Sequence, residues 1–198
     1  MSLATYADLQ TQIANWLARD DLTTYIPDFI TLFESAAARK LKVRLQESTT
    51  TLTPVSGVAT LPTDYLGYRR VTWTGSPIFD LAYVAPPIYS GYLNTTAGTP
   101  SVFTIEGTSL KVAPSSDTPL TFDYFQRPAA LSGTLNWLYT NHPDAYLFGS
   151  LCEANAFDKD VDTAGLWKAR RDEIFDEIAK LDFNERQGMA IRITSITP

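Results

Sequence analysis

The stretch STTTLTPVSGVATLP, residues 48–62, is where the hydrophobic pattern of the chain changes from a helical period to a period of two. Thr and Val side chains, stiff at χ1, fit a pleated surface, and PVSG at 54–57 supplies turn chemistry. The segment therefore predicts a strand, a turn and a return strand ending at Pro62, which together make a hairpin. What lies on either side of this change of period sets the architecture.

Downstream, short β-prone runs at 67–74, 78–84, 102–106, 108–113 and 120–127 bring the number of strands to seven. This is the pattern of a small sandwich or barrel. Between them PPIYSGYLNTTAGTP at 86–100 is dense in turn formers and reads as a long exposed loop. The insertion also differs in composition. Nine of the 12 prolines and six of the 10 glycines fall within 54–128, while residues 48–130 hold only nine of the 38 charged residues.

Both flanks are helical in pattern. Leu9, Ile13, Trp16 and Leu17 recur at helical spacing, and Thr5 with Asp8 is placed as a capping box, which predicts a helix over 5–18. Ile26, Ile30, Phe33, Ala37 and Leu41 form the stripe of a second helix over 25–45, with Pro27 in its first turn. After Asn136 and Trp137 the pattern returns. Tyr146, Leu147, Leu151 and Ala154 mark a third helix over 142–157, and Leu166, Ile174, Ile178 and Leu181 a fourth over 163–183. The expected fold class is α+β. A helical bundle built from 1–47 and 131–184 carries an inserted antiparallel β-sandwich or barrel over 48–130, with an extended C-terminal arm at 185–198. Within that arm Met189, Ile191 and Ile193 alternate with Ala190, Arg192 and Thr194, the pattern of a half-buried strand. The arm either returns to the β region, adds to a partner as a strand, or frays as a chain end.

Charge and chemistry narrow the function. Sixteen Lys and Arg against 22 Asp and Glu give a net charge of −6, the wrong sign for a protein whose main task is gripping phosphates. The N-terminal MSLATYADLQ has no basic and apolar signal pattern, and no run approaches the ~18 apolar residues of a membrane span. The single cysteine, Cys152, allows no intrachain disulfide and no cysteine zinc cluster. His142 is the one histidine; it stands near Asp144 without a nucleophile motif, so catalysis is poorly provisioned and no enzyme is expected. Asp158, Asp160 and Asp162 imitate a calcium-loop opening, but Thr163 and Ala169 occupy the positions that need Gly and Glu. Neither usual Gly-rich phosphate cradle is present, and no cofactor or metal is expected. The NTT sequence at 94–96 matches a glycosylation sequon only by chance when no secretion signal accompanies it.

The basic run Arg39, Lys40, Lys42 and Arg44 is the densest positive feature of the chain. It reads either as a solvated helix end favoured by the dipole or as a contact for an acidic partner surface. The many Tyr and Trp side chains fit core and cross-strand pairs, or a carbohydrate platform.

Taken in order, YADL at 6–9, WLARDDL at 16–22, IPDFI at 26–30 and the basic run at 39–44 resemble the N-terminal helices of phage adaptor proteins. These are head-to-tail connector subunits of tailed bacteriophages, related to the tail tubular protein A group. The resemblance continues through LPTDYL at 61–66, Arg70 and Val71, Pro100, Tyr124, NWL at 136–138, PDAYL at 143–147 and LCEA at 151–154. It implies a helical bundle with a β-sandwich insertion, assembled as a ring of twelve subunits beneath the portal protein ring. That ring would join the portal to a tail nozzle or tail tube protein and complete the DNA channel, DNA passing without specific binding. The location implied is the head-tail interface of the virion, reached from the host cytoplasm during assembly, with no membrane involved. Such proteins bring no catalytic residues. The residues expected to meet the portal or a neighbouring subunit are Arg39, Lys40, Lys42, Arg44, Met189, Ile191 and Ile193. The alternative function is a carbohydrate- or receptor-binding tail module that uses the 86–100 loop with Tyr89 and Tyr92.

Overall fold

The computed structural model describes residues 3–19, 21–93, 98–132 and 134–187. The chain divides into two compact units, one formed by Met1–Leu45 with Pro128–Pro198 and the other by Gln46–Arg127. The fold class is α+β, with six helices and two four-stranded sheets.

In the helical unit, α1 (Tyr6–Leu17) starts where Thr5 accepts from the Asp8 N–H and the Asp8 side chain accepts from the Thr5 N–H, each at 3.1 Å. This is the capping box read from the sequence. Helix α2 (Ile26–Lys40) buries Ile26, Phe29, Ile30, Phe33, Ala37 and Ala38. It ends five residues before the expected 45, with Leu41 extended. The reason is the alternation that follows: Leu41 and Val43 are both buried while Lys42 and Arg44 are exposed, which an extended chain satisfies and a helix does not. The basic run therefore leaves a helix end, passes through extended chain and ends in the 3-10 turn Arg44–Gln46.

Asn136 begins α4 (Trp137–Asn141), a short helix that the sequence pattern did not reveal. Its Oδ1 accepts from the Tyr139 N–H, and its Nδ2 donates to the Ala129 carbonyl and to the Tyr146 hydroxyl, both at 2.7 Å. Helix α5 (Pro143–Phe157) is the centre of the unit and packs against α1, α2, α4 and α6 (Val161–Gln187). Its only charged residues are Asp144 and Glu153. Burial falls on nearly all its sides, at Ala145, Tyr146, Leu147, Gly149, Ser150, Leu151, Cys152 and Ala154, as expected for a helix apolar all round. Helix α6 starts two residues earlier than predicted and runs through 185–187, so the first residues of the expected arm are helical. Residues 188–198, with Met189, Ile191 and Ile193, lie outside the described residues.

The β unit is a sandwich. One sheet has the order β1 (Glu47–Leu52), β8 (Leu120–Gln126), β3 (Tyr65–Trp73), β4 (Phe79–Asp80). The other has the order β2 (Val58–Thr60), β7 (Ser109–Ala113), β6 (Val102–Glu106), β5 (Ala82–Tyr83). The expected hairpin is not formed. β1 pairs with β8 and β2 with β7, so the turn crosses from one sheet to the other; a Val55–Val58 bridge closes it and the Ser56 N–H donates to Asp117 at 2.6 Å. Leu52 and Ala59 then reach the shared core from opposite sheets. Gly57 makes this turn at φ +79°, where a Cβ would also crowd Ser115 and the Val112 carbonyl.

The predicted strand at 78–84 is likewise two pieces. β4 joins the first sheet, buried Leu81 crosses the core, and β5 joins the second sheet parallel to β6. The insertion is thus antiparallel apart from that one pair. The expected exposed loop at 86–100 opens with α3 (Pro86–Tyr89), two prolines in its first turn, and Tyr89 is buried with Val102 and Ala113.

Two tests of the helical unit follow from its packing. A Cβ on Gly149 of α5 would lie 1.9 Å from the Phe33 ring of α2, and Phe33 is fully buried. Gly149→Ala should therefore destabilise the protein by ~1–3 kcal/mol, read as a lowered urea midpoint. The second test uses Glu34, whose Oε1 accepts from the Leu131 N–H at 2.6 Å and from the Tyr146 hydroxyl at 3.0 Å. Burial raises its pKa, and those two hydrogen bonds oppose the rise without cancelling it. A carboxyl with a raised folded pKa favours the folded state most when protonated, so its contribution is lost as pH rises through that value. Glu34→Gln keeps both acceptor bonds without the charge. It should flatten the pH dependence of stability just above the usual carboxylate range and leave neutral stability equal or higher, whereas Glu34→Ala should cost ~1–3 kcal/mol.

Candidate partner-binding surfaces

The four cations of the basic run have different surroundings. Lys40 Nζ lies 2.7 Å from Asp172 Oδ1 of α6 and 5.9 Å from the centre of the Phe175 ring. The Arg44 guanidinium pairs with Glu185, and its backbone N–H donates to Asp182 at 2.6 Å. Burial would raise the Asp172 carboxyl, but hydrogen bonds from Lys40 and Arg171 outweigh it and hold it below the ordinary carboxylate range. Lys40 and Arg44 thus tie the segment after α2 to α6. Arg39 and Lys42 are exposed and have no ion-pair partner among the described residues. Lys40, Leu41, Lys42 and Val43 form one wall of a shallow groove of about 510 Å³, faced by Phe175, Ala179 and Phe183 of α6. Phe183 is 58% exposed and Leu181 is 59% exposed.

Arg171, which is 6% exposed on α6, was not marked out by any sequence pattern. It lies 3.0 Å from Asp172 and 3.9 Å from Glu153 of α5, and its guanidinium stands 5.9 Å from the Phe175 ring. Glu153 is one of only two charged residues on α5, and Arg171 is its counterpart.

The β unit carries a further concave surface, a cleft of about 780 Å³. Tyr68 of β3 and Tyr83 of β5 stack at 5.2 Å on its wall, with the buried Phe103 edge-on to both. Arg70 reaches Asp123 of β8 at 2.8 Å, Thr49 donates to the same carboxylate at 2.7 Å, and Arg69 lies 3.3 Å from Glu47. Tyr and Arg at a concave, half-exposed site suit protein contact.

The other sequence candidates serve local structure. Asp158 pairs with Arg19, and Asp160 accepts from the Thr163 N–H at the start of α6, so two of the three aspartates of the calcium-like run have separate tasks. Among the described residues, no three His, Cys, Asp or Glu side chains are grouped as ligands. His142 sits in the joint between α4 and α5, and the Asp144 carboxylate accepts from the Ala145 N–H. Burial pushes the Cys152 thiol up, away from the reactive thiolate form. Tyr89 is buried and offers no exposed platform.

What remains is a set of surfaces suited to protein contact, on a chain whose elements follow in the order helices, β-sandwich, helices. A protein-family model described as SU10 adaptor protein matches residues 4–193. The chain belongs to the SU10 adaptor protein family. No curated protein matches it. The adaptor is a phage virion protein, and none of its described helices is long and apolar enough to cross a membrane.

The cations of the adaptor can be separated by mutation. Lys40→Ala should lower stability by under ~1 kcal/mol, less at high salt, because the pair is half exposed. Acidification through the depressed Asp172 pKa should remove the same contribution, since a carboxylate of lowered folded pKa stabilises only above it. Arg39→Glu with Lys42→Glu should leave the melting temperature within about 2 °C, because neither side chain pairs with a described residue. Differential scanning calorimetry at two salt concentrations measures both.

Proposed function

We propose that the adaptor docks as a ring on the portal and connects it to the tail, completing the channel through which DNA leaves the head. Its membership of the SU10 adaptor family over residues 4–193 carries this reading. The work is structural and involves no chemistry of its own. The contacts assigned to the portal or a neighbouring subunit are Arg39, Lys40, Lys42, Arg44, Met189, Ile191 and Ile193, with Lys40 and Arg44 acting through the α6 surface they hold in place.

Two physical points support the ring. A subunit that repeats around a closed axis needs heterologous contacts, because an isologous pair saturates itself and stops. A net charge of −6 also suits a conduit, since a basic lining would retain the DNA that must pass. Twelve subunits is the proposed stoichiometry, and the tail nozzle or tail tube the proposed partner on the far side. The burial of Tyr89 weakens the receptor-binding alternative.

Light scattering of the purified adaptor with and without portal rings tests the reading. The adaptor alone should run as a monomer or weak oligomer, and the mixture should give one species with the added mass of a complete ring. Separate species at all ratios would reject it.

A further inference from the structure

The edges of the sandwich are not managed alike. Its four edge strands are β1, β4, β2 and β5, of which β4 and β5 have two residues each and β2 has three. The part of β3 that β4 leaves uncovered is broken by register shifts at Tyr65/Gly67 and Tyr68/Arg70. Short strands and bulges are how sheets avoid unwanted pairing. β1 has neither device. It runs six residues in unbroken register with β8, and its STTTL segment at 48–52 has no Lys, Arg, Pro or Gly. Among the described residues, the backbone of 48–52 pairs with β8 alone. A regular, uncharged, β-branched edge is an acceptor for another strand.

Its side chains specify the strand that would suit it. Leu52 points into the core and Ser48 and Thr50 are half-buried on the same face, while Thr49 and Thr51 are exposed on the other. An added strand should therefore be apolar on the inner face, to finish covering Ser48 and Thr50, and polar on the outer face. MAIRITS at 189–195 has this alternation, with Met189, Ile191 and Ile193 against Ala190, Arg192 and Thr194. It belongs to the 11 residues that follow Gln187, the last described residue, and at ~3.3 Å per residue they reach about 35 Å when extended.

We infer that β1 is the acceptor edge for residues 189–195 of the neighbouring copy in the ring, which adds a ninth strand to the sandwich by strand augmentation. The inference rests on the ring reading. Donation from each subunit to the next is heterologous, so it propagates around the axis and closes with every edge filled. Pairing of β1 with another β1 would be isologous and would leave dimers.

Hydrogen exchange followed by mass spectrometry over residues 47–52 tests it, using the full chain and a chain ending at Gln187. A synthetic peptide of residues 188–198, added to the shortened chain, should slow exchange in this segment about tenfold or more. The same peptide with Ile191→Asp and Ile193→Asp should not. The full chain should exchange as fast as the shortened one when monomeric and slow down when assembled on portal rings. No slowing with the peptide, or none in the assembled full chain, overturns the inference and leaves the adaptor reading intact. Slowing already present in the full-length monomer assigns the edge to the chain's own tail and also overturns it. Failure of the full chain to assemble on portal rings rejects the adaptor reading, and the inference falls with it.

Discussion

Helix α5 needs cover on almost every side, and the rest of the helical unit answers that need. Only Asp144 and Glu153 among its fifteen residues carry charge, and its buried positions run around the helix without a solvent face. No single neighbour can satisfy such a helix. α1 and α2 approach from the N-terminal segment, and α4 and α6 from the C-terminal one. At the α2 contact Gly149 lets the Phe33 ring lie against the helix backbone. Two of its polar side chains are answered locally, since Arg171 faces Glu153, and Tyr146 bonds to both Asn136 and Glu34. The intervening eighty or so residues must then form an excursion with a core of its own.

That excursion has its own apolar centre. Phe122 and Tyr124 of β8 stack at 5.3 Å, Tyr65 of β3 lies 5.9 Å from Phe122, and Phe103 and Leu110 meet them from the facing sheet. Two sheets can share this centre only if the chain crosses between them more than once. It changes sheets four times, at 53–57, 61–64, Leu81 and 114–119, and two of these crossings, at 53–57 and at Leu81, set the rim. These two leave short strands on the sandwich rim, which keeps the rim from pairing freely at most places.

Most of the architecture was readable in the sequence because the two periodicities are physical consequences of backbone geometry. The capping residues Thr5 and Asp8, the Pro27 and Pro143 helix starts and the strand at 102–106 are where the residues said they would be. The misses share a cause. Period tells which side of a strand is buried but not which sheet the strand joins, so the turn at 54–57 looked like a hairpin and 78–84 like one strand. LKVR at 41–44 offers both periods, and tertiary burial of Leu41 with Val43 chose the extended one. At the candidate surfaces the basic run was visible but its division was not, because Asp172, Asp182 and Glu185 lie more than 130 residues away in sequence. Buried Arg171 gave no signal, since a charged residue in an amphipathic pattern reads as solvated.

The pairing of the first and last strands of the sandwich shapes how such a chain can change over time. Glu47 stands opposite Phe125, so the excursion leaves and returns on adjacent strands. Joining the two ends costs chain entropy that grows only with the logarithm of the intervening length, about 0.6 kcal/mol per doubling. Loops between the inner strands can therefore be lengthened, trimmed or replaced by recombination while the packing around α5 stays as it was. A lineage can revise what this module touches and keep the bundle that carries it.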